Sequence, residues 1–257
     1  MKKLYIVLIL SIAFIGNAQE LQDWQVGITA NTFVFSRINP DYNPQKAKQN
    51  LINGHGFGIS IEKNWNPSWG IKTGLIYNNQ NQKYDNFFHN GNVYTSTVNM
   101  DFSYYKLPVT IQYTHQIKEN LYLIINQGVQ MSLLNDYKTI IDSELGIETL
   151  TPNFINGIAK QSFITPVEYY YKIENYGWIY KNRTYGIVGS VGIKGILAKK
   201  LTYSTSIKYE YDITSADTDK AYFSENFNTK NFCIGLEFGM QYHFSLTGCS
   251  YCKNQPH

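Results

Sequence analysis

The alternation of apolar and polar residues from Phe232 to Phe244 constrains this chain more than any other feature. Every even position carries a large apolar side chain, and the odd positions carry small or polar residues. Successive side chains of a strand point to opposite faces, so this period of two predicts a strand with one apolar face. Seven further segments alternate in the same way: 25–30, 57–62, 71–78, 105–113, 121–126, 187–194 and 203–212. We therefore predict an all-β protein with eight strands.

The connections between these segments differ in length in a regular way. Three are short (63–68, 116–120 and 197–200), and four are long (36–54, 80–100, 135–182 and 214–228). Short turns at one end and long loops at the other are typical of outer-membrane barrels. After residue 18 no stretch of eighteen apolar residues occurs, so only a closed barrel would satisfy the backbone in lipid. We predict an eight-stranded antiparallel up-and-down transmembrane β-barrel with short periplasmic turns and long extracellular loops, in preference to a soluble lipocalin-type barrel.

The first eighteen residues have the pattern of a signal peptide. Lys2 and Lys3 precede an apolar stretch, 4–15, which small residues follow before Gln19. This stretch is too short to span a bilayer. The expected organisation is a signal peptide (1–18), a barrel (19–245) and a periplasmic tail (246–257). The expected location is the outer membrane of a Gram-negative bacterium.

Composition agrees with a barrel and excludes other classes of protein. Hydrophobic residues make up 43% of the chain, and charged and aromatic residues 16% each. Without Lys2 and Lys3 the chain has 20 basic and 19 acidic residues, so no nucleic-acid partner is expected. Lipid is the expected environment of a monomeric barrel, with aromatic belts at both interfaces. The turn-end belt would contain Trp24, Trp65, Trp69, Tyr122, Tyr242 and Phe244, and the loop-end belt Tyr77, Tyr104, Tyr105, Tyr209 and Tyr211.

Short strand motifs resemble the PorT-like outer-membrane β-barrel family of Bacteroidetes. The segments are 72–77 (KTGLIY), 104–109 (YYKLPV), 189–193 (GSVGI) and 207–211 (IKYEY). The family's pattern has Gly-Leu after the last tyrosine, where this chain has Asp212 and Ile213. The resemblance implies the barrel fold, and it raises the hypothesis of a component in a secretion or envelope-assembly complex.

If the apolar face meets lipid, eight charged side chains point into the barrel. They are Glu62, Lys72, Lys106, Lys194, Lys208, Glu210, Asp212 and Glu237. Four cations and four anions can form a network of ion pairs, and eight strands leave room for side chains but for no aqueous channel. A selective pore or a proton path is the alternative. We expect a polar plug without wide-pore conductance.

The longest connection, 135–182, is rich in aromatic residues. Loops of this length are uncommon unless they are functional or mobile. Exposed aromatic side chains can stack on sugars or anchor a protein partner. The alternative is that the flanking strands continue above the membrane as a twisted hairpin, which can itself carry a binding surface. The candidate binding residues are Tyr169, Tyr170, Tyr171, Tyr176, Trp178 and Tyr180.

Catalytic and metal-binding motifs are weak in this sequence. His243 and Ser245 have the spacing of lipid A deacylases but would lie at the periplasmic end, so we predict no enzyme and no cofactor. Cys249 and Cys252 form one C-x-x-C in the tail, which is poor evidence for zinc. Phe244 resembles the terminal aromatic that barrel-assembly machinery recognises. The expected function is a non-enzymatic barrel, structural or binding a ligand or an envelope protein through its loops, with a lipid-modifying enzyme as a minor alternative.

Overall fold

The computed structural model describes most of the chain between residues 24 and 244. The described ranges are 24–38, 48–88, 95–143, 146–153, 158–164, 176–177, 180–198, 200–217 and 229–244. The strands are β1 Trp24–Ile38, β2 Lys48–Asn64, β3 Trp69–Phe88, β4 Thr95–Lys118, β5 Leu121–Ser143, β6 Gly146–Asn153, β7 Ile158–Ile164, β8 Tyr176–Gly177, β9 Arg183–Ala198, β10 Leu201–Asp212 and β11 Lys230–Phe244. The predicted signal peptide and tail lie outside these ranges. Within them, no helix is long and apolar enough to cross a membrane.

Eight strands close into an antiparallel barrel, as predicted. They follow the order β4-β3-β2-β1-β11-β10-β9-β5, and the pairing of β4 with β5 completes the ring. β1 and β11 pair along their whole lengths, from Trp24 opposite Phe244 to Ile38 opposite Lys230. Phe244 therefore ends the last strand beside the first residue of β1.

The three connections at the turn end are short, as the sequence indicates. Between β2 and β3, the Asn66 side-chain oxygen accepts hydrogen bonds from the Ser68 and Trp69 amides at 2.9 and 2.8 Å. Between β4 and β5, the two-residue turn is made possible by Asn120, whose φ of 62° lies in the left-handed region that asparagine tolerates. These local interactions fix the register of both hairpins.

At the other end much of what was predicted as loop is strand. The alternation predicted a loop over 80–100, but β3 continues as far as Phe88 and β4 already begins at Thr95. Segment 135–182 contains the upper part of β5 and the strands β6, β7 and β8, which pair in sequence order. The alternative of two flanking strands that continue as a hairpin is therefore correct for β5 but not for β9, which begins at Arg183. Above Leu133, β5 pairs with β6 and not with β9.

The outer surface of the barrel is apolar. Side chains on the predicted lipid-facing phase are exposed on all eight strands, among them Ile28, Ile59, Leu75, Ile111, Val129, Val191, Ile207 and Met240. Trp69 and Tyr77 lie eight residues apart on β3, about 27 Å along the strand at about 3.4 Å per residue. At the strand tilt of about 35–45° that is usual for such barrels, this spacing corresponds to a height of about 19–22 Å, slightly less than the usual apolar band of about 25 Å.

Two tyrosines of the predicted belts do not face lipid. Tyr104 and Tyr122 are buried, because each lies on the inward phase of its strand. Four belt tyrosines lie on the outward faces of their strands: Tyr105, Tyr209, Tyr211 and Tyr242. Trp65 is exposed in the turn between β2 and β3.

The barrel is taller on one side. We call the loop-end belt the outer belt from here on, and Tyr105 is its residue on β4. Ten residues of β4, from Thr95 to Tyr104, extend above Tyr105, a rise of about 34 Å along the strand. On the far side β10 ends at Asp212, directly after the outer-belt residue Tyr211. We call the part of β3, β4 and β5 above Tyr77, Tyr105 and Leu133 the extracellular wall.

Candidate functional site in the barrel interior

A buried carboxylate organises the turn end of the interior. Glu62 on β2 is 0% exposed, and Lys194 on β9 donates to both of its carboxylate oxygens at 2.8 and 2.9 Å. Three glutamine side chains complete the shell: the amides of Gln25, Gln112 and Gln241 donate to Glu62 at 3.1, 2.5 and 3.3 Å. Lys194 also donates to Gln25 Oε1 at 3.1 Å. A charge buried this deeply requires such a complete set of partners.

Five alternating charges cross the middle of the barrel. Lys72 Nζ lies 2.9 Å from Glu237 Oε1, and Lys208 Nζ lies 3.3 Å from Glu237 Oε2. Lys208 also lies 2.9 Å from Glu210, which pairs in turn with Lys106 through its other oxygen. The resulting chain is Lys72, Glu237, Lys208, Glu210 and Lys106. It joins strands β3 and β4 to β10 and β11 across the interior.

Asp212 lies one inward position above Glu210 and has neutral partners. Its Oδ2 accepts hydrogen bonds from Thr184 Oγ1 and Asn231 Nδ2, both at 2.8 Å. The eight charged residues that were predicted to face the interior therefore fall into three groups. Two form the ion pair at the turn end, five form the chain of charges across the middle, and Asp212 accepts hydrogen bonds from neutral donors.

A second ion pair lies at the extracellular mouth, and the sequence did not suggest it. Arg37, at the end of β1, pairs with Asp217 from the segment after β10, and both are buried. The guanidinium lies 4.8 Å from the Phe102 ring centroid and 5.0 Å from that of Tyr180. An arginine between two aromatic faces gains cation–π attraction as well as the ion pair.

Around Arg37 the interior becomes apolar and aromatic. Buried side chains of five strands and of Tyr180 form one cluster: Phe33, Phe35, Tyr84, Val98, Met100, Phe102, Tyr104, Tyr137, Tyr180 and Cys233. The Tyr180 ring packs edge-on against Phe102 and Tyr137, with centroid distances of 4.9 and 4.8 Å. Burial raises the pKa of Tyr180 to about 12, although the nearby Arg37 charge opposes the shift. We call these ten residues and Arg37 the mouth cluster.

The burial of Tyr180 corrects one prediction. Tyr180 was expected on an exposed binding surface, but it is 1% exposed inside the barrel mouth. Its backbone bridges to Asp217, and its hydroxyl lies 3.1 Å from Thr139 Oγ1. Of the other candidates, Tyr169, Tyr170, Tyr171 and Trp178 lie outside the described residues, and for Tyr176 only the backbone, in β8, is described.

The sequence contains a signal for the mouth cluster in the alternate residues that face the barrel interior. On β4 the even positions that face the interior are polar at Thr110, Gln112 and Thr114 but become apolar at Met100 and Phe102. If the alternation of outward and inward residues over 105–113 is extended toward the N-terminus, Met100 and Phe102 are predicted to face the interior. The three glutamines around Glu62 share the same inward phase as the predicted charges. Asp217 lies in no strand, so alternation gives no signal for it.

The middle of the barrel contains a small polar cavity. Its volume is about 30 Å³, and it is lined by Lys72, Lys208 and Glu237 and by side chains such as Thr29, Ser60 and Asn126. Thr29 Oγ1, Ser60 Oγ and Asn126 Oδ1 are buried and have no protein hydrogen-bond partner among the described residues. A polar cavity of this size suits about one water molecule, not an aqueous channel.

Residues that could hold a metal or perform catalysis are sparse. Across the described part of the chain, no three His, Cys, Asp or Glu side chains cluster as metal ligands. Cys233 is a free thiol inside the mouth cluster, whereas Cys249 and Cys252 lie outside the described residues, as does Ser245. His243, at the turn end, lies 3.1 Å from Thr202 Oγ1.

Comparison with known proteins adds a fold-level likeness. No protein-family model and no curated protein match this chain. The outer membrane protein OprG from Pseudomonas aeruginosa is 11% identical, with 89% of this chain and 98% of that chain covered and a TM-score of 0.45. Neisserial surface protein A (12%, 86% and 97%, 0.43) and the Escherichia coli outer membrane protease OmpT (9%, 89% and 100%, 0.43) are similarly distant.

The closed ring, the apolar exterior and the filled polar interior together define the class of protein. In lipid every backbone donor and acceptor must be paired within the protein, and closed barrels achieve this through their strands. This chain is a β-barrel of the outer-membrane type.

Proposed function

We propose that this protein is a non-enzymatic, non-conducting membrane anchor that presents its extracellular wall to a partner outside the cell. The interior carries this proposal. Ion pairs cross the barrel at the turn end and in the middle, and the mouth cluster fills the top. A lumen filled in this manner is suited to holding the strands rigid and not to passing solutes.

The wall supplies the surface for a partner. Above the outer belt its outer face changes from apolar to charged, with Asp101 opposite Lys138 and with Asp136 exposed on β5. Loops and extensions carried on a rigid scaffold commonly contain the binding residues of a protein. The wall rises about 34 Å along β4, which places this surface well above the bilayer.

Two experiments test the two parts of this proposal. Planar-bilayer recording should give no large, stable single-channel steps from the purified barrel, with a porin in the same bilayer as the positive control. Such steps from this protein would refute the plugged interior.

For partner binding, a photo-crosslinking amino acid at Asp136 should give a defined protein adduct in intact cells. The matched control places it at Val129, on the same strand and outward face but in the lipid belt. Equal adducts at both positions, or none at Asp136, would contradict the wall as the binding surface.

The same crosslinking experiment addresses a secretion or envelope-assembly role, the alternative that the PorT-like resemblance raises. Adducts with envelope or secretion proteins would support that alternative. A lipid A mass change that depends on the protein and disappears in His243→Ala would instead support a lipid-modifying enzyme.

A further inference from the structure

Five outward-facing residues form a row across neighbouring strands, which starts at the belt residues Tyr105 and Tyr77 and descends toward the turns because the strands are tilted. The strand register places Phe238, Ala30, Phe57, Tyr77 and Tyr105 side by side on β11, β1, β2, β3 and β4. Four of the five are aromatic, and the Phe57, Tyr77 and Tyr105 rings contact one another at centroid distances of 5.7 and 5.4 Å. Ala30 is therefore a single gap in an otherwise continuous aromatic row.

A groove opens at this gap and continues beneath the rings. Its volume is about 710 Å³, within the range of about 300–1,000 Å³ that is usual for small-molecule pockets. One register row nearer the turns, Met240, Ile28, Ile59 and Leu75 form its aliphatic floor. Ile28 is 64% exposed and Phe57 63% exposed, so the groove opens directly toward lipid.

A polar row lies directly above the gap. Thr32 is opposite His55, and His55 is opposite Asn79, with 3.5 Å between the Asn79 amide nitrogen and His55 Nε2. Two residues of a strand rise by about 6.8 Å, so this polar row lies about one ring height above the aromatic row. From the loop end toward the turns, this surface therefore consists of three successive rows: a polar row, an aromatic row with one gap, and an aliphatic row.

That order matches one lipid molecule standing in a bilayer, with a polar headgroup above and a hydrocarbon chain below. The width of the gap also selects the occupant. β2 and β11 flank β1 at two strand spacings, about 9.6 Å apart, and the Phe57 and Phe238 rings narrow the space further. A hydrocarbon chain fits this space, whereas a helix with a diameter of about 10–12 Å does not.

We propose that this surface is a specific site for one phosphate-bearing lipid of the outer leaflet, which we call the Ala30 site. One acyl chain passes through the gap between Phe57 and Phe238 and lies on the aliphatic floor. His55 and Asn79 present nitrogen donors to the lipid phosphate. The site depends on the lipid-facing exterior and not on partner binding at the wall.

The test measures lipid retained by the folded barrel. The protein is reconstituted in nanodiscs of phosphatidylglycerol, extracted into detergent and examined by native mass spectrometry. We expect one retained lipid per barrel. Ala30→Phe fills the gap and should reduce retention at least about tenfold, equivalent to about 1.4 kcal/mol of binding free energy. The control Val129→Phe adds a ring to an exposed position on β5, on the opposite side of the ring of strands, and should leave retention unchanged.

The headgroup contact is tested separately. His55→Ala combined with Asn79→Ala should reduce retention of phosphatidylglycerol but leave retention of diacylglycerol, which lacks phosphate, unchanged. Heat-modifiability on SDS gels verifies that each variant is folded, and Ala30→Leu replaces Ala30→Phe if the larger ring prevents folding. Equal lipid retention by wild type and the Ala30 variant would overturn the proposal. So would a barrel dimer that disappears with Ala30→Phe, because a second copy would then be the occupant.

Discussion

Removing the lysine of the turn-end pair should cost more stability than any exposed lysine can provide. Lys194→Met deletes the two hydrogen bonds to Glu62 and the one to Gln25, but leaves the carboxylate buried with three glutamine amides and no cation from this position. Losing one partner of a buried ion pair typically costs about 3–5 kcal/mol, because the other charge stays in a poorly solvated environment. Glu62→Gln should have a cost of similar size, since it leaves the Lys194 ammonium buried among neutral groups.

The double variant Lys194→Met with Glu62→Gln tests whether the two charges stabilise the barrel as a specific pair or only as separate polar groups. With both charges removed, a glutamine at position 62 can remain hydrogen-bonded to the surrounding amides. The combined cost should therefore stay below about 3 kcal/mol, well under the sum of the two single costs. Lys138→Met, at an exposed position on the wall, is the matched control and should change stability by no more than about 0.5 kcal/mol.

Reversible urea unfolding of the barrel in lipid vesicles, followed by tryptophan fluorescence, gives the four free energies of the cycle. If the two single effects add to within about 0.5 kcal/mol, Glu62 and Lys194 are not energetically coupled, and the proposed ion-pair filling of the turn end is wrong.

The mouth cluster gives two further predictions. Arg37→Met leaves Asp217 buried without its ion-pair partner, so amide hydrogen exchange in segments 180–182 and 213–217 should become faster. The control Arg183→Met, at an exposed position, should leave this exchange unchanged. Equal exchange rates in the two variants would contradict the role of Arg37. Because the pKa of Tyr180 is raised to about 12, its protonated form favours the folded state. The wild type should therefore lose stability relative to Tyr180→Phe as the pH rises from about 10 toward about 12, and the ultraviolet difference titration of the two proteins should have its midpoint near 12; a midpoint near 10 would show that Tyr180 is exposed.

The predictability of this fold follows from the physics of a two-faced sheet. Where one face meets lipid and the other meets charges, the period of two is clear, and the pattern from Phe232 to Phe244 anticipated almost all of β11. The same contrast placed Glu62 and Lys194 on the inward phase.

Above the bilayer this contrast changes, and prediction fails there. On β4 the inward residues Met100 and Phe102 are as apolar as the lipid-facing Val109, so a strand that runs on above the membrane resembles a loop with scattered aromatics. Tyr180 was assigned to the surface because its neighbours in sequence are aromatic. In the mouth of the barrel it contacts Arg37, 143 positions away in sequence, and no local pattern contains that contact.

The ion pairs that cross the interior have a consequence for assembly. Glu62, Lys72 and Lys106 belong to the first half of the barrel, and their partners Lys194, Glu237 and Glu210 belong to the second half, at separations of 132, 165 and 104 positions. An N-terminal half-barrel would therefore present these three charges without their partners. Within the second half, Glu210 and Glu237 already have Lys208 as a counterion. Glu62, Lys72 and Lys106 find their counterions only when the two halves face each other across the interior, so neutralisation of these three charges is coupled to closure of the ring.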